Sequence, residues 1–196
     1  AQALPYWINA LLPDATAGLN FQTVVGAAKT FSYIFPSTLP SYDTSADNAK
    51  EFTAFTAVQQ GRVSTALSYV SSVLDLQFNK ATDAAVLNTL TFASNAQTNS
   101  AGYALYPSIS FNGSDIFLKT ADYNTTLEDG KYGAFVLIHE VGHALGLKHP
   151  FAQEAGEGNV AESPYLTGTE ENAIWTVMSY EKTSAQYLLQ YSPLDI

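Results

Sequence analysis

The residues best suited to chemistry lie in one stretch, His139-Glu140-Val141-Gly142-His143-Ala144-Leu145-Gly146-Leu147-Lys148-His149-Pro150, which holds all 3 histidines of the chain. On an α-helix His139 and His143 fall on one face about one turn apart, so both imidazoles can reach a single metal ion. Glu140 sits beside them. His149 cannot join from the same straight helix, because it would lie about 9 Å further along the axis and roughly 120° around it, beyond a bond of about 2.1 Å. The chain must turn back, and Gly146 stands where a left-handed, helix-ending conformation is needed. Three imidazoles on one ion, a fourth position for water and a carboxylate next to that water make the arrangement of a catalytic zinc site.

Such a site needs a helix with one apolar face and a scaffold for it to pack on. Phe135, Val136, Ile138, Val141, Leu145 and Leu147 supply the apolar face, leaving the ligands for a cleft. Upstream, Thr56 and Gln59 form a capping box, and Val63, Leu67, Val70 and Leu74 follow at helical intervals, which predicts a long amphipathic helix over 57–74. Aromatic and β-branched runs predict strands at 30–35, 76–78, 90–92, 103–106 and 115–118, the first and fourth closed by Pro36 and Pro107. Residues 6–12 read as a short docking helix stopped at Pro13. Residues 37–50 read as polar loop, as does the stretch around Gly18 and Gly26. The order strand, helix, several strands, helix implies an α+β or α/β-like class with helices packed on a mixed sheet. From Phe151 to Thr169 the chain reads as loop, with Gly156, Gly158 and Gly168. Its acids Glu154, Glu157 and Glu162 suit a solvated surface better than a calcium site.

Composition narrows the partners. The chain has 196 residues, 46% of them hydrophobic, enough for one core or two lobes sharing a cleft. With 18 acids against 8 basic residues its formal charge is -10, which repels phosphate backbones and anionic membranes, so nucleic acid is not an expected partner. It has no cysteine, so any zinc must be held by nitrogen and oxygen, and disulfides say nothing of the compartment. Residues 1–12 lack a basic leader and are not a typical secretory signal. No apolar run reaches the length of a membrane span.

The full HExxHxxGxxH spacing is the signature of the metzincin metalloproteases. Within that clan the chain most resembles the serralysin-type secreted bacterial proteases (peptidase family M10). Pro150 after the third histidine is one clue, where astacins carry an acid and adamalysins an aspartate. Thr176-Val177-Met178-Ser179-Tyr180 is the other, matching the serralysin Met-turn and its following tyrosine. Weaker similarity runs through 6–12, 30–35, 55–60, 102–107 and 113–117. Phe151 departs from the glycine that often follows His-Pro, and residues 13–29 lack the usual Trp-Gly pairing.

The resemblance implies a twisted five-stranded mixed sheet with two long helices over 1–149, and a smaller irregular C-terminal subdomain over 150–196 below the cleft. It implies zinc on His139, His143 and His149, with Glu140 as general base. Met178, the only methionine, becomes the hydrophobic floor beneath the imidazoles. Tyr180 places its phenol near the metal, as ligand or oxyanion donor. Gly102, Tyr103, Ala104, Leu105 and Tyr106 become the edge strand along which an extended polypeptide substrate lies antiparallel. It further implies an extracellular monomer exported without an N-terminal signal peptide and a target for protein inhibitors. Ser192-Pro193-Leu194-Asp195 reads as a helix start; in serralysins that point leads to a glycine-rich calcium-binding repeat region, so calcium is expected mainly beyond this chain. The competing readings are a zinc-binding interaction module without catalysis, a protease of another metzincin family, and a surface-layer or adhesion domain.

Overall fold

A computed structural model describes residues 4–13, 29–87, 89–152, 163–182 and 187–196. The elements follow in the order α1 (Tyr6–Asn9), β1 (Thr30–Ile34), α2 (Ala46–Ala49), β2 (Thr53–Ala54), α3 (Ala57–Val73), β3 (Gln77–Lys80), β4 (Thr89–Asn95), β5 (Gly102–Ala104), β6 (Ile116–Lys119) and α4 (Tyr132–Ala144). The expected loops around Gly18 and Gly26, and the acids Glu154, Glu157 and Glu162, lie outside the described residues.

The sheet is built around β4, whose seven residues are all buried. A strand covered on both faces has no need of strict alternation, which is why Thr89-Leu90-Thr91-Phe92-Ala93-Ser94-Asn95 shows only part of its length as a strand signal. β4 pairs in parallel with β1 and β6, β3 closes one side against β1, and β5 lies at the opposite edge, antiparallel to β6. The path β3-β1-β4-β6-β5 is the expected five-stranded mixed sheet. A sixth strand, β2, pairs antiparallel with the end of β4 through Thr53↔Ser94 and Ala54↔Ala93. Two residues are too short to carry a period, so only the partner strand reveals it. The polar stretch 37–50 likewise contains α2, capped by Ser45 Oγ, which accepts from the Asn48 amide.

α3 starts as expected. Gln59 N–H donates to Thr56 Oγ1 at 3.3 Å and Thr56 N–H donates to Gln59 Oε1 at 2.8 Å, a reciprocal cap that fixes the first turn. Its buried positions Val63, Ala66, Leu67 and Val70 join Phe92, Ile116 and Leu118 of the sheet and Ala134, Leu137, Ile138 and Val141 of α4 in one core. Phe35, Phe55 and Phe92 pack there with ring centroids 5.8–6.3 Å apart. α1 is shorter than expected, with Tyr6 and Trp7 partly exposed while Ala10 and Leu11 just beyond it are buried. No helix among the described residues is long and apolar enough to cross a membrane.

Candidate metal centre and cleft

α4 brings His139 and His143 onto one face, with ring centroids 4.7 Å apart, and every residue from Gly133 to Ala144 is buried. The helix ends where the turn was expected: Leu145 caps it and Gly146 takes φ 107°, a value that costs a side-chain-bearing residue strain. The reversal has two products. Leu147 O comes to lie 2.7 Å from His143 Nδ1, and His149 returns to the histidine face. Lys148 fixes the return, its backbone N–H donating to Leu11 O at 2.8 Å and its buried ammonium to Ala10 O at 2.7 Å. The N-terminal segment thus docks against the residue preceding His149.

His149 Nε2 lies 3.1 Å from His139 Nε2 and 3.0 Å from His143 Nε2. His139 Nδ1 faces Val177 O at 2.7 Å, so in both helix histidines Nδ1 carries the proton that a carbonyl accepts and Nε2 presents a bare lone pair. One proton on His149 Nε2 could answer only one of those lone pairs. A cation between the three nitrogens answers all of them, and a four-coordinate ion with bonds of about 2.1 Å spaces its nitrogens by about 3.4 Å. Burial pulls His139 down to about 4 and His149 to about 3, and His143 well below the usual imidazole range, so all three are neutral ligands at pH 7. Among the described residues they are the one group of three or more His, Asp or Glu side chains close enough to hold an ion. The donor set is nitrogen-only and fits zinc.

Glu140 is buried beside them, and burial pushes its carboxyl up to about 8. Its Oε2 has no hydrogen-bond partner in the protein. β5 passes directly over it: a Cβ on Gly102 would lie 3.0 Å from Glu140 Cγ, Val136 Cγ1 and Leu118 Cδ2, so the absent side chain eases the close approach of the edge strand to the helix. The strand is held from behind by a polar chain. Tyr103 Oη donates to Asn48 Oδ1 at 2.6 Å and accepts from Asn95 Nδ2 at 2.8 Å, while Asn48 Nδ2 donates to Asp43 Oδ2 at 2.7 Å.

Beneath the imidazoles lies the turn 176–180. Met178 is fully buried, and a Cβ on Gly142 would come within 2.6 Å of its Sδ, so the methionine packs into the space of a missing side chain between the two helix ligands. Val177 O receives His139 Nδ1, making this turn a support of the metal centre. Tyr180 is half exposed above it, its ring 4.7 Å from that of His149 and 5.7 Å from that of His139. Phe151, the departure from the usual pattern, stacks on His149 at 5.0 Å and packs tilted against Tyr180 at 4.9 Å, forming an aromatic wall.

These groups share a cleft of about 850 Å³. Gly102, Tyr103, Ala104, Tyr106, His139, Glu140, His143, His149 and Tyr180 all line it, so the expected residues meet in space. Leu105 does not; its backbone N–H donates to Asp115 O and its carbonyl accepts from Ser114. Tyr106 lies beyond β5, edge-on to His143 with ring centroids 5.6 Å apart. Sequence reasoning missed three participants: Gly142, Lys182 on the cleft wall, and Asp195, which holds the Met-turn. Gly142 sits inside the motif at an unspecified position. Lys182 follows Tyr180 by two residues, the only signal for it. Ser192 and Asp195 form a turn in which Asp195 Oδ2 accepts Ser192 N–H at 2.8 Å, and the same oxygen accepts Val177 N–H at 2.9 Å.

Comparison with known proteins agrees with this geometry. A family model described as Metallo-peptidase family M12 (Reprolysin_5) matches residues 15–192. Metalloprotease AprA of Pseudomonas entomophila is 32% identical over 180 residues, covering 88% of this chain and 36% of that protein. Serralysin G of Dickeya chrysanthemi is 30% identical over 168 residues, covering 82% of this chain and 35% of the relative. Serralysin of Proteus mirabilis is 30% identical over 179 residues, with 82% and 35% covered. The chain therefore spans about a third of the length of the curated relatives it matches. With a family model over most of its length and serralysins among its relatives, the chain belongs to the M12-type metallo-peptidases and is a serralysin-like metzincin domain.

Proposed function

We propose that this chain is the catalytic part of a secreted bacterial zinc endopeptidase that hydrolyses peptide bonds in extended polypeptides. The observation that carries the reading is the convergence of three imidazole Nε2 atoms beside the buried Glu140 carboxyl, whose Oε2 has no partner in the protein, inside a cleft edged by β5. In this reading His139, His143 and His149 hold the ion, and residues 1–149 and 150–196 form the upper and lower walls. Bound zinc supplies a Lewis acid that activates water and polarises the scissile carbonyl.

The chain's own residues do the rest. The backbone of residues 102–106 receives the substrate as an added antiparallel strand, which orients the scissile bond over the histidines. Glu140, as the carboxylate beside the bound cation, accepts the proton of the attacking water and passes it to the leaving amine. Tyr180 Oη donates to the oxyanion as charge develops there. Met178 keeps the floor dry and the imidazoles in place. The names of the relatives, metalloprotease and serralysin, support the same reaction.

Peptide hydrolysis by the zinc-loaded protein, with and without chelator, tests this. Glu140→Gln is expected to keep stoichiometric zinc and lose about 10²-fold or more in kcat. His149→Ala is expected to lose the metal itself. A Glu140→Gln protein of full activity would sink the assignment. Tight zinc with no hydrolysis by the wild type would favour an interaction or surface-layer module instead.

A further inference from the structure

We infer that Lys182 is a specificity determinant that selects substrates with Asp or Glu as the first residue after the scissile bond. The inference rests on the proposed protease reading and deepens it. Among the described residues that line the cleft, Lys182 is the only Lys or Arg. Its Nζ lies 4.3 Å from the ring centroid of Phe135, 4.9 Å from that of Tyr132 and 5.4 Å from that of Tyr187. Three ring faces hold the ammonium in place by cation–π attraction, but they accept none of its three N–H donors in a full hydrogen bond. Among the described residues Lys182 has neither a hydrogen bond nor an ion pair on that group. Partial burial lowers its pKa.

Which part of a substrate meets Lys182 follows from strand direction. β5 begins at Gly102, beside Val136 and Glu140, and the chain then runs on to Tyr106, beside His143. A substrate strand antiparallel to it runs the other way. The residues before the scissile bond then lie toward Tyr106, and those after it lie toward Gly102, Val136 and Phe135. Phe135 precedes His139 by four residues, about 6 Å along the helix, a span that the side chain of the first residue after the bond covers. That side chain points at the rings that carry Lys182. A carboxylate there gains a charge-assisted hydrogen bond that a neutral side chain does not. In a chain of net charge -10 the selection operates at contact range, because the long-range field repels anions.

The test uses two peptides identical except for Asp or Asn at that position, cleaved by the wild type and by Lys182→Gln, Lys182→Arg and Lys182→Glu. The kcat/KM ratio of Asp over Asn peptide is expected to be about tenfold in the wild type and in Lys182→Arg, near one in Lys182→Gln, and below one in Lys182→Glu. A role confined to propping the three rings would slow both peptides equally and leave the ratio unchanged, which overturns the inference. So does a wild type that cleaves both peptides at one rate, with the protease reading left standing. Product peptides beginning with Asp or Asn, bound to the same zinc-loaded proteins and followed by fluorescence polarisation, separate the two failures. Without any cleavage, tighter binding of the Asp peptide that vanishes in Lys182→Gln sustains the recognition and rejects the catalytic reading. Equal binding with no cleavage rejects both.

Discussion

Asp195 Oδ1 accepts from Thr176 Oγ1 at 2.5 Å, while Oδ2 takes the N–H groups of Val177 and Ser192. Val177 in turn offers its carbonyl to His139, so one buried carboxylate lies two hydrogen bonds from the first histidine of the candidate metal centre. Burial raises it to about 6 against the pull of those donors. Asp195→Asn removes one acceptor and places an NH₂ where a donor already points. Zinc affinity is expected to fall about tenfold or more and stability by about 1–3 kcal/mol, read by competition with a chromogenic chelator and by denaturant unfolding. Unchanged zinc affinity would limit Asp195 to a structural role. The carboxylate was legible only as an acid near a helix start, because its partners at 176 and 177 are remote in sequence. The clustering of the three histidines was legible, since their spacing is local.

At the scale of elements, α4 and the Met-turn fit through a missing side chain. Gly142 in a helix interior costs roughly 1 kcal/mol relative to alanine, so propensity alone favours Gly142→Ala. The contact works against it: the added Cβ would lie 2.6 Å from Met178 Sδ, so the buried methionine must shift to admit it. Gly142→Ala is expected to destabilise by about 1–3 kcal/mol net, and less in a Met178→Ala background. Thermal unfolding of the four proteins in the cycle measures this; additive effects would mean that the two residues do not touch. β5 shows the same logic at the sheet edge. Its sequence suggested a strand from Tyr103 to Tyr106, yet pairing with β6 sets the strand at Gly102–Ala104, with Gly102 opposite Leu118 and close against α4.

For the whole molecule, burial of ionisable groups makes stability depend on pH in two opposed ways. The three histidines are held below the ordinary imidazole value, so without metal their neutral burial contributes fully above about pH 6.5 and is lost as pH falls through that window toward 3–4. Asp115 acts in the other direction. It is fully buried beside the Tyr42 hydroxyl at 3.2 Å, and burial raises it to about 8. The folded state then binds more protons than the unfolded one between about pH 4 and 8, so this group's contribution falls as pH rises. Asp115→Asn keeps the shape and removes the titration. It is expected to match the wild type near pH 4 and to exceed it by on the order of 2 kcal/mol at pH 8. Urea unfolding across that range checks the slope, and a difference independent of pH would reject it.

The sequence by itself determined what could be written within one turn or one helix. The three histidines and Glu140, the reversal at Gly146, the capping box at Thr56 and Gln59, and the amphipathic face of α3 all depend on residues a few positions apart. Tertiary structure decided the rest. Only packing across the fold places Met178 under Gly142, lays the edge strand over Glu140, ties Asp195 to the Met-turn and sets Lys182 among Tyr132, Phe135 and Tyr187. The physical reason is range: helical periodicity and turn chemistry are encoded along the chain, whereas close approach, burial and the shift of a buried charge exist only once distant segments meet.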